Sequence, residues 1–174
     1  IGQFGSGAKH GILTLLRNNI SPTIYVGNTS VTFGTKKTVV GEQSFDQLII
    51  NVAGQTKELS YTLDFGGLDW TNINMALREF VSNALDQDDN ARIEPIESCT
   101  GRAGFTRVFV PMNPDVSQYV SNLPYFFLHF DSERSNATGL INKKKAGKAL
   151  VYRKGVFVRM IGSRSPNGMY AYIM

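Results

Sequence analysis

The chain has 174 residues, 42% of them hydrophobic and 18% charged. That is the composition of a globular chain, and it excludes disorder, collagen and coiled coil as the main state. No apolar run reaches the ~18–20 residues of a membrane-spanning helix, and with Cys99 as the single cysteine no internal disulfide can form. The net charge of +4 hides a split: residues 1–132 carry nine Lys/Arg against thirteen Asp/Glu, and residues 133–174 carry nine against Glu133 alone, a net of +8. Such asymmetry suits an anionic partner for the C-terminal quarter. It equally suits a solvated hairpin whose lysines keep an edge strand from aggregating.

Residues 1–8, IGQFGSGA, read as a glycine-rich loop. Ile12, Leu13, Leu15 and Leu16 then give a helical stripe over 8–19, ended by Asn18–Asn19 and Pro22. Residues 23–28 and 30–34 predict a hairpin around Gly27–Asn28, and 47–53 and 58–66 predict two longer strands joined at Gly54–Gln55. From Ile73 to Leu85 the apolar spacing becomes helical, with Thr71 or Asn72 as N-cap. Strands are expected at 91–98 and 105–111, a short helix at 115–123, a buried strand at 125–130, a hairpin at 149–161 around Lys154–Gly155, and a last strand at 169–174. The pattern predicts one α+β domain, with a mostly antiparallel sheet and the helices at 8–19 and 71–87 on one face.

Two motifs carry chemistry. In the helix at 71–87, Glu79 and Asn83 are i,i+4 and Asn83 and Asp86 are i,i+3, so all three share a face. An amide oxygen is a hard ligand for Mg²⁺, and a glutamate can take a proton from water. A solvated polar face is the structural alternative. In the second motif, Gly2, Gly5 and Gly7 precede a helix, where backbone N–H groups and the helix dipole favour an anion. Ser6 and Lys9 add a hydroxyl and a charge. A glycine-rich surface loop is the alternative here.

Taken together, the motifs are more specific. REFVSNALD (78–86) resembles the E-x-x-x-N-x-x-D helix of the GHKL ATPases, the family of DNA gyrase, the ninety-kilodalton heat-shock chaperones, sensor histidine kinases and MutL-type repair proteins. IGQFGSG (1–7) resembles the glycine motif of the family's ATP lid, and GFTRVFVP (104–111) its later Gly-Thr strand, with Phe105 inserted. The motifs cover about 25 of the 174 residues. The resemblance implies a Bergerat-like two-layer sandwich that binds ATP and Mg²⁺. Glu79 would be the general base and Asn83 the Mg²⁺ ligand. Asp86 would support the pocket, Gly2, Gly5 and Gly7 would cradle phosphate with Ser6 and Lys9 beside them, and Thr106 would face the adenine. Two features depart from the family pattern. The lid motif precedes the acidic helix by about 70 residues, the reverse of the family's order, as in a circular permutation. The adenine-reading D-x-G-x-G is also missing; DFGGLD (64–69) is its nearest approach. Since the first residue is Ile1 rather than Met, the chain is read as part of something longer, with the adenine-binding segment expected upstream.

Among other residues, His10 is placed to touch phosphate or to stand as a partly exposed helix residue. His129 and Cys99 are read as structural, and Trp70 as a staple for the acidic helix. Lys143, Lys144, Lys145 and Lys148 would reach a γ-phosphate, bind nucleic acid or form a solvated loop. The expected function is ATP hydrolysis driving a change in the rest of a parent protein or a homodimer. The alternative is a non-hydrolysing GHKL-like fold serving as a structural or nucleic-acid-binding module. A cytoplasmic setting, with a phage or mobile-element source, is compatible with this reading, and no membrane association is expected.

Overall fold

In the computed structural model, which describes residues 6–65, 70–130, 140–141, 148–162 and 171–173, the first element is helix α1 (Gly7–Arg17). It stops at Asn18–Asn19 for a geometric reason. Asn19 takes a left-handed φ of 58°. Its N–H bonds to the Leu16 carbonyl, and the Ile20 N–H bonds to that of Leu15. These two bonds satisfy carbonyls that a helix end otherwise strands. Helix α2 (Ile73–Gln87) opens on Asn72, whose side-chain oxygen accepts the Asn74 N–H at 2.8 Å. Of the two candidate caps, Asn72 is therefore the one used. Asn72→Ala is expected to cost about 1 kcal/mol, read from a urea unfolding curve.

The chain divides into two units, Ile1–Ser117 and Gln118–Met174. The first holds a five-stranded antiparallel sheet of order β4-β3-β2-β1-β5. Its strands are β1 (Thr23–Val26), β2 (Thr29–Val40), β3 (Gln43–Val52), β4 (Gln55–Thr62) and β5 (Thr106–Phe109). Strand β2 runs well past the 30–34 predicted for it. The polar stretch Lys36–Lys37–Thr38 has no apolar pattern to betray a strand, yet each residue finds a partner across the sheet. Lys36 pairs with Glu58 at 2.5 Å, Lys37 with Asp46 at 2.8 Å, and the Thr38 hydroxyl donates to Gln47 at 2.7 Å. The β3–β4 turn falls at Ala53–Gly54, both with positive φ, one residue before the expected turn.

Helices α1 and α2 pack on each other in opposite directions. Gly7 lies against Glu79, Gly11 against Ala76 and Phe80, and Thr14 reaches the Trp70 carbonyl. A Cβ at Gly11 would stand 3.2 Å from the Phe80 ring, so the small residue sets how closely the helices approach. Helix α1 meets the sheet through Lys9, whose ammonium sits 4.9 Å from the Tyr61 ring centroid. Register places Tyr61 on the face of Leu48 and Ile50. The core of this unit comprises Leu13, Leu15, Ile20, Leu48, Ile73, Ala76, Leu77, Val81 and Val116, all buried.

Two expected strands differ. Residues 91–98 form no strand: Pro95 removes a ladder donor, and all eight residues but Ala91 are exposed. The apolar run 125–130 is instead the end of helix α4 (Leu123–Phe126) followed by a 3-10 turn, Leu128–Phe130. Pro124 near the helix start favours that choice, and a short apolar run does not itself separate strand from helix. Helix α3 (Pro114–Ser121) lies where the sequence puts a short helix, opened by the Asn113 side chain accepting the Val116 N–H.

The second unit has its own sheet, of order β6-β9-β7-β8. Strands β7 (Lys148–Arg153) and β8 (Val156–Gly162) form the expected hairpin over Lys154–Gly155, both with positive φ. Strand β9 (Ala171–Ile173) runs parallel to β7 and pairs with the short β6 (Leu140–Ile141). Leu128, Leu150 and Tyr152 form its core, where the Tyr152 hydroxyl donates to the Tyr125 carbonyl at 2.7 Å. Among the described residues the fold is thus α+β with two sheets, where the sequence suggested one.

Candidate functional site

Helix α2 carries the acidic face. One helical turn separates Glu79 from Asn83, and the Asn83 amide donates to Glu79 Oε1 at 3.1 Å. A carboxylate only accepts, so the NH₂ of Asn83 must be the end that faces it. The amide oxygen of Asn83 therefore points away from Glu79, where it can meet a hard cation. Both residues are half-buried. Asp86, a further turn along, is exposed.

The head of α1 is brought against this pair. A Cβ built on Gly7 would overlap the Glu79 carboxylate, so the two residues are in direct apposition. Gly7 and Glu79 are 72 positions apart in sequence. Ser6 is the N-cap of α1 but makes no side-chain cap bond, leaving the N–H groups of the first turn without that partner. Its carbonyl accepts from both the His10 backbone N–H and His10 Nδ1, each at 2.9 Å. Because a carbonyl only accepts, Nδ1 carries the proton.

His10 is held between two rings. Its centroid lies 5.3 Å from Phe65 and 5.6 Å from Trp70, with interplanar angles of 19° and 28°. Tyr61 joins the cluster 5.8 Å from Phe65. Arg17 ties both shoulders of the β4–α2 connection to α1. One nitrogen donates to the carbonyls of Leu63 and Phe65, at 2.6 and 3.3 Å, and the other to the Trp70 carbonyl and the Thr14 hydroxyl, both at 3.0 Å. Sequence reading missed Arg17, Tyr61 and Phe65. Arg17 looked like an ordinary basic residue in a last helical turn. Aromatic content around 61–70 was the only available signal for the others.

Thr106 opens β5 and is exposed. It stands opposite Val26, and Val108 opposite Ile24, so the four share the sheet face that carries Leu48. Val26 is 58% and Val108 38% exposed, which leaves an open apolar floor around the Thr106 hydroxyl. The structure thus brings Gly7 against Glu79, which is bonded to Asn83, with Ser6 next to Gly7 in the chain. Lys9 is placed over Tyr61, and Asp86 and Thr106 stand in the same unit without a contact to the Glu79–Asn83 pair being shown. Gly2, Gly5, Lys143, Lys144 and Lys145 lie outside the described residues, as does the side chain of Lys148. Among the described residues no three His, Cys, Asp or Glu converge as a metal-binding group, and no helix is long and apolar enough to cross a membrane.

No family model, no curated protein and no solved structure matches the chain.

Proposed function

We propose that the Ile1–Ser117 unit binds Mg²⁺–ATP and hydrolyses it, as a Bergerat-like domain of GHKL type with permuted motif order. The apposition of Gly7 and Glu79 carries this reading. Gly7 ends the stretch that resembles the lid of one family, and it lies against Glu79 of the helix that resembles that family's catalytic helix, 72 positions away.

The residues present fit the nucleotide and its cation. The first-turn N–H groups of α1, which the Ser6 side chain does not cap, are suited to phosphate oxygens, and the Glu79 carboxylate stands beside them against Gly7. Asn83 would hold Mg²⁺ through its amide oxygen, with phosphate and water completing the shell, as suits a cation that rarely takes an all-protein cage. Mg²⁺ would neutralise charge developing on the phosphates. Glu79, oriented by the Asn83 amide, accepts a proton from the attacking water. The Thr106 hydroxyl and the floor of Val26 and Val108 offer a planar base one polar contact and an apolar surface. His10, stacked between Phe65 and Trp70, fixes the start of α1 through the Ser6 carbonyl.

Calorimetric titration with ATP, with and without Mg²⁺, tests the binding step. Binding is expected to require Mg²⁺, and Asn83→Ala is expected to weaken it roughly tenfold or more, the loss of about one charge-assisted contact. Absence of nucleotide binding by the chain both with and without Mg²⁺ would remove the reading. Binding without turnover would favour a non-hydrolysing module.

A further inference from the structure

Gly7 has an ordinary helical backbone. Its φ is not among the positive values that demand glycine, and alanine is the better helix former at such a position. Backbone conformation therefore does not explain the glycine. Space does: a Cβ here would meet the Oε1 and Cδ atoms of Glu79 and lie 3.1 Å from Oε2. The carboxylate occupies the volume that a side chain at position 7 would take. Its other neighbour, the Asn83 amide, holds Oε1 from the α2 side. Glu79 is thus held on one side by a hydrogen bond, and on the other the bare backbone of Gly7 leaves room for its carboxylate.

We propose that Gly7 is the positioning residue for the general base, seating the Glu79 carboxylate at the head of α1, rather than a phosphate ligand. This rests on the ATPase reading for its catalytic consequence, but the seating itself does not. A base displaced by about 1 Å loses on the order of 100-fold in rate without losing the binding contacts made elsewhere.

The experiment is a double-mutant cycle in the full chain, read in two ways. Gly7→Ala is expected to lower the melting temperature in the Glu79 background, or to raise it less than in Glu79→Ala, where the obstructing carboxylate is gone and only the better helix propensity of alanine remains. Should Gly7→Ala alone fail to fold, recovery of a cooperative transition in the double variant gives the same answer. In the second readout, Gly7→Ala is expected to lower kcat about 100-fold while the calorimetric Kd for Mg²⁺–ATP stays at the wild-type value. An effect of Gly7→Ala on melting that is the same with and without Glu79 overturns the proposal. So does a Kd that rises while kcat at saturating ATP is kept, since that would make position 7 a phosphate contact. If the wild-type chain binds no ATP, the ATPase reading fails while the melting cycle still decides whether Gly7 seats Glu79.

Discussion

Glu79→Gln is expected to lower ATP turnover by about 10³-fold while Mg²⁺–ATP remains bound. The substitution keeps the size of the side chain and an oxygen for the Asn83 amide at its 3.1 Å contact, so the α2 face is preserved. What it removes is the capacity to take a proton from water. The isosteric change is more informative than Glu79→Ala, because alanine also empties the space against Gly7 and alters how α1 and α2 meet. On the proposed mechanism, kcat falls and the calorimetric Kd holds. Single-turnover hydrolysis measured with a phosphate sensor separates these quantities. Turnover at the wild-type rate in Glu79→Gln would show that the carboxylate is not the base. The apposition of Glu79 to the head of α1 would then be an electrostatic contact with the helix dipole and no more.

The second large effect is expected on stability. Arg17→Met should lower it by about 2–4 kcal/mol, read as a denaturant midpoint shift, or roughly 5–15 °C in melting temperature. Methionine fills much of the arginine stem's path but donates nothing. The carbonyls of Leu63, Phe65 and Trp70 and the fully buried Thr14 would all lose a charged donor at once. Arg17→Lys should recover only part of the loss, because an ammonium cannot span two shoulders of a loop as a planar guanidinium does. The same change would loosen the stack of Phe65 and Trp70 on His10, so quenching of Trp70, the single tryptophan, by acrylamide should increase. A shift below about 0.5 kcal/mol would place Arg17 among ordinary surface residues.

How far the sequence anticipates these features depends on the range of the interaction behind each. The two long helices are legible because their apolar stripes and their caps are local. Asn72 bonds two residues ahead, and Asn18–Asn19 ends α1 by bonds to the turn before it. The hairpin at Lys154–Gly155 is legible for the same reason, since its turn residues announce their own φ. The pairing of Glu79 with Asn83 follows from i,i+4 spacing alone. Where an element is held by distant partners, the reading falters. The polar half of β2 is a strand because β3 and β4 supply partners for Lys36, Lys37 and Thr38. The run 125–130 carries no local mark separating a strand from the helix and turn it forms.

The sequence by itself therefore determined the α+β class, the positions of α1 and α2, and the polar face of Glu79 and Asn83, because these depend on periodicity and on contacts within one turn. Only the tertiary structure decided that the strands form two sheets, that Arg17 clasps the connection into α2, and that His10 is stacked between Phe65 and Trp70. It alone placed Gly7 against the Glu79 carboxylate. The physical reason is common to all of these: they depend on which segments, far apart along the chain, come to share the same volume.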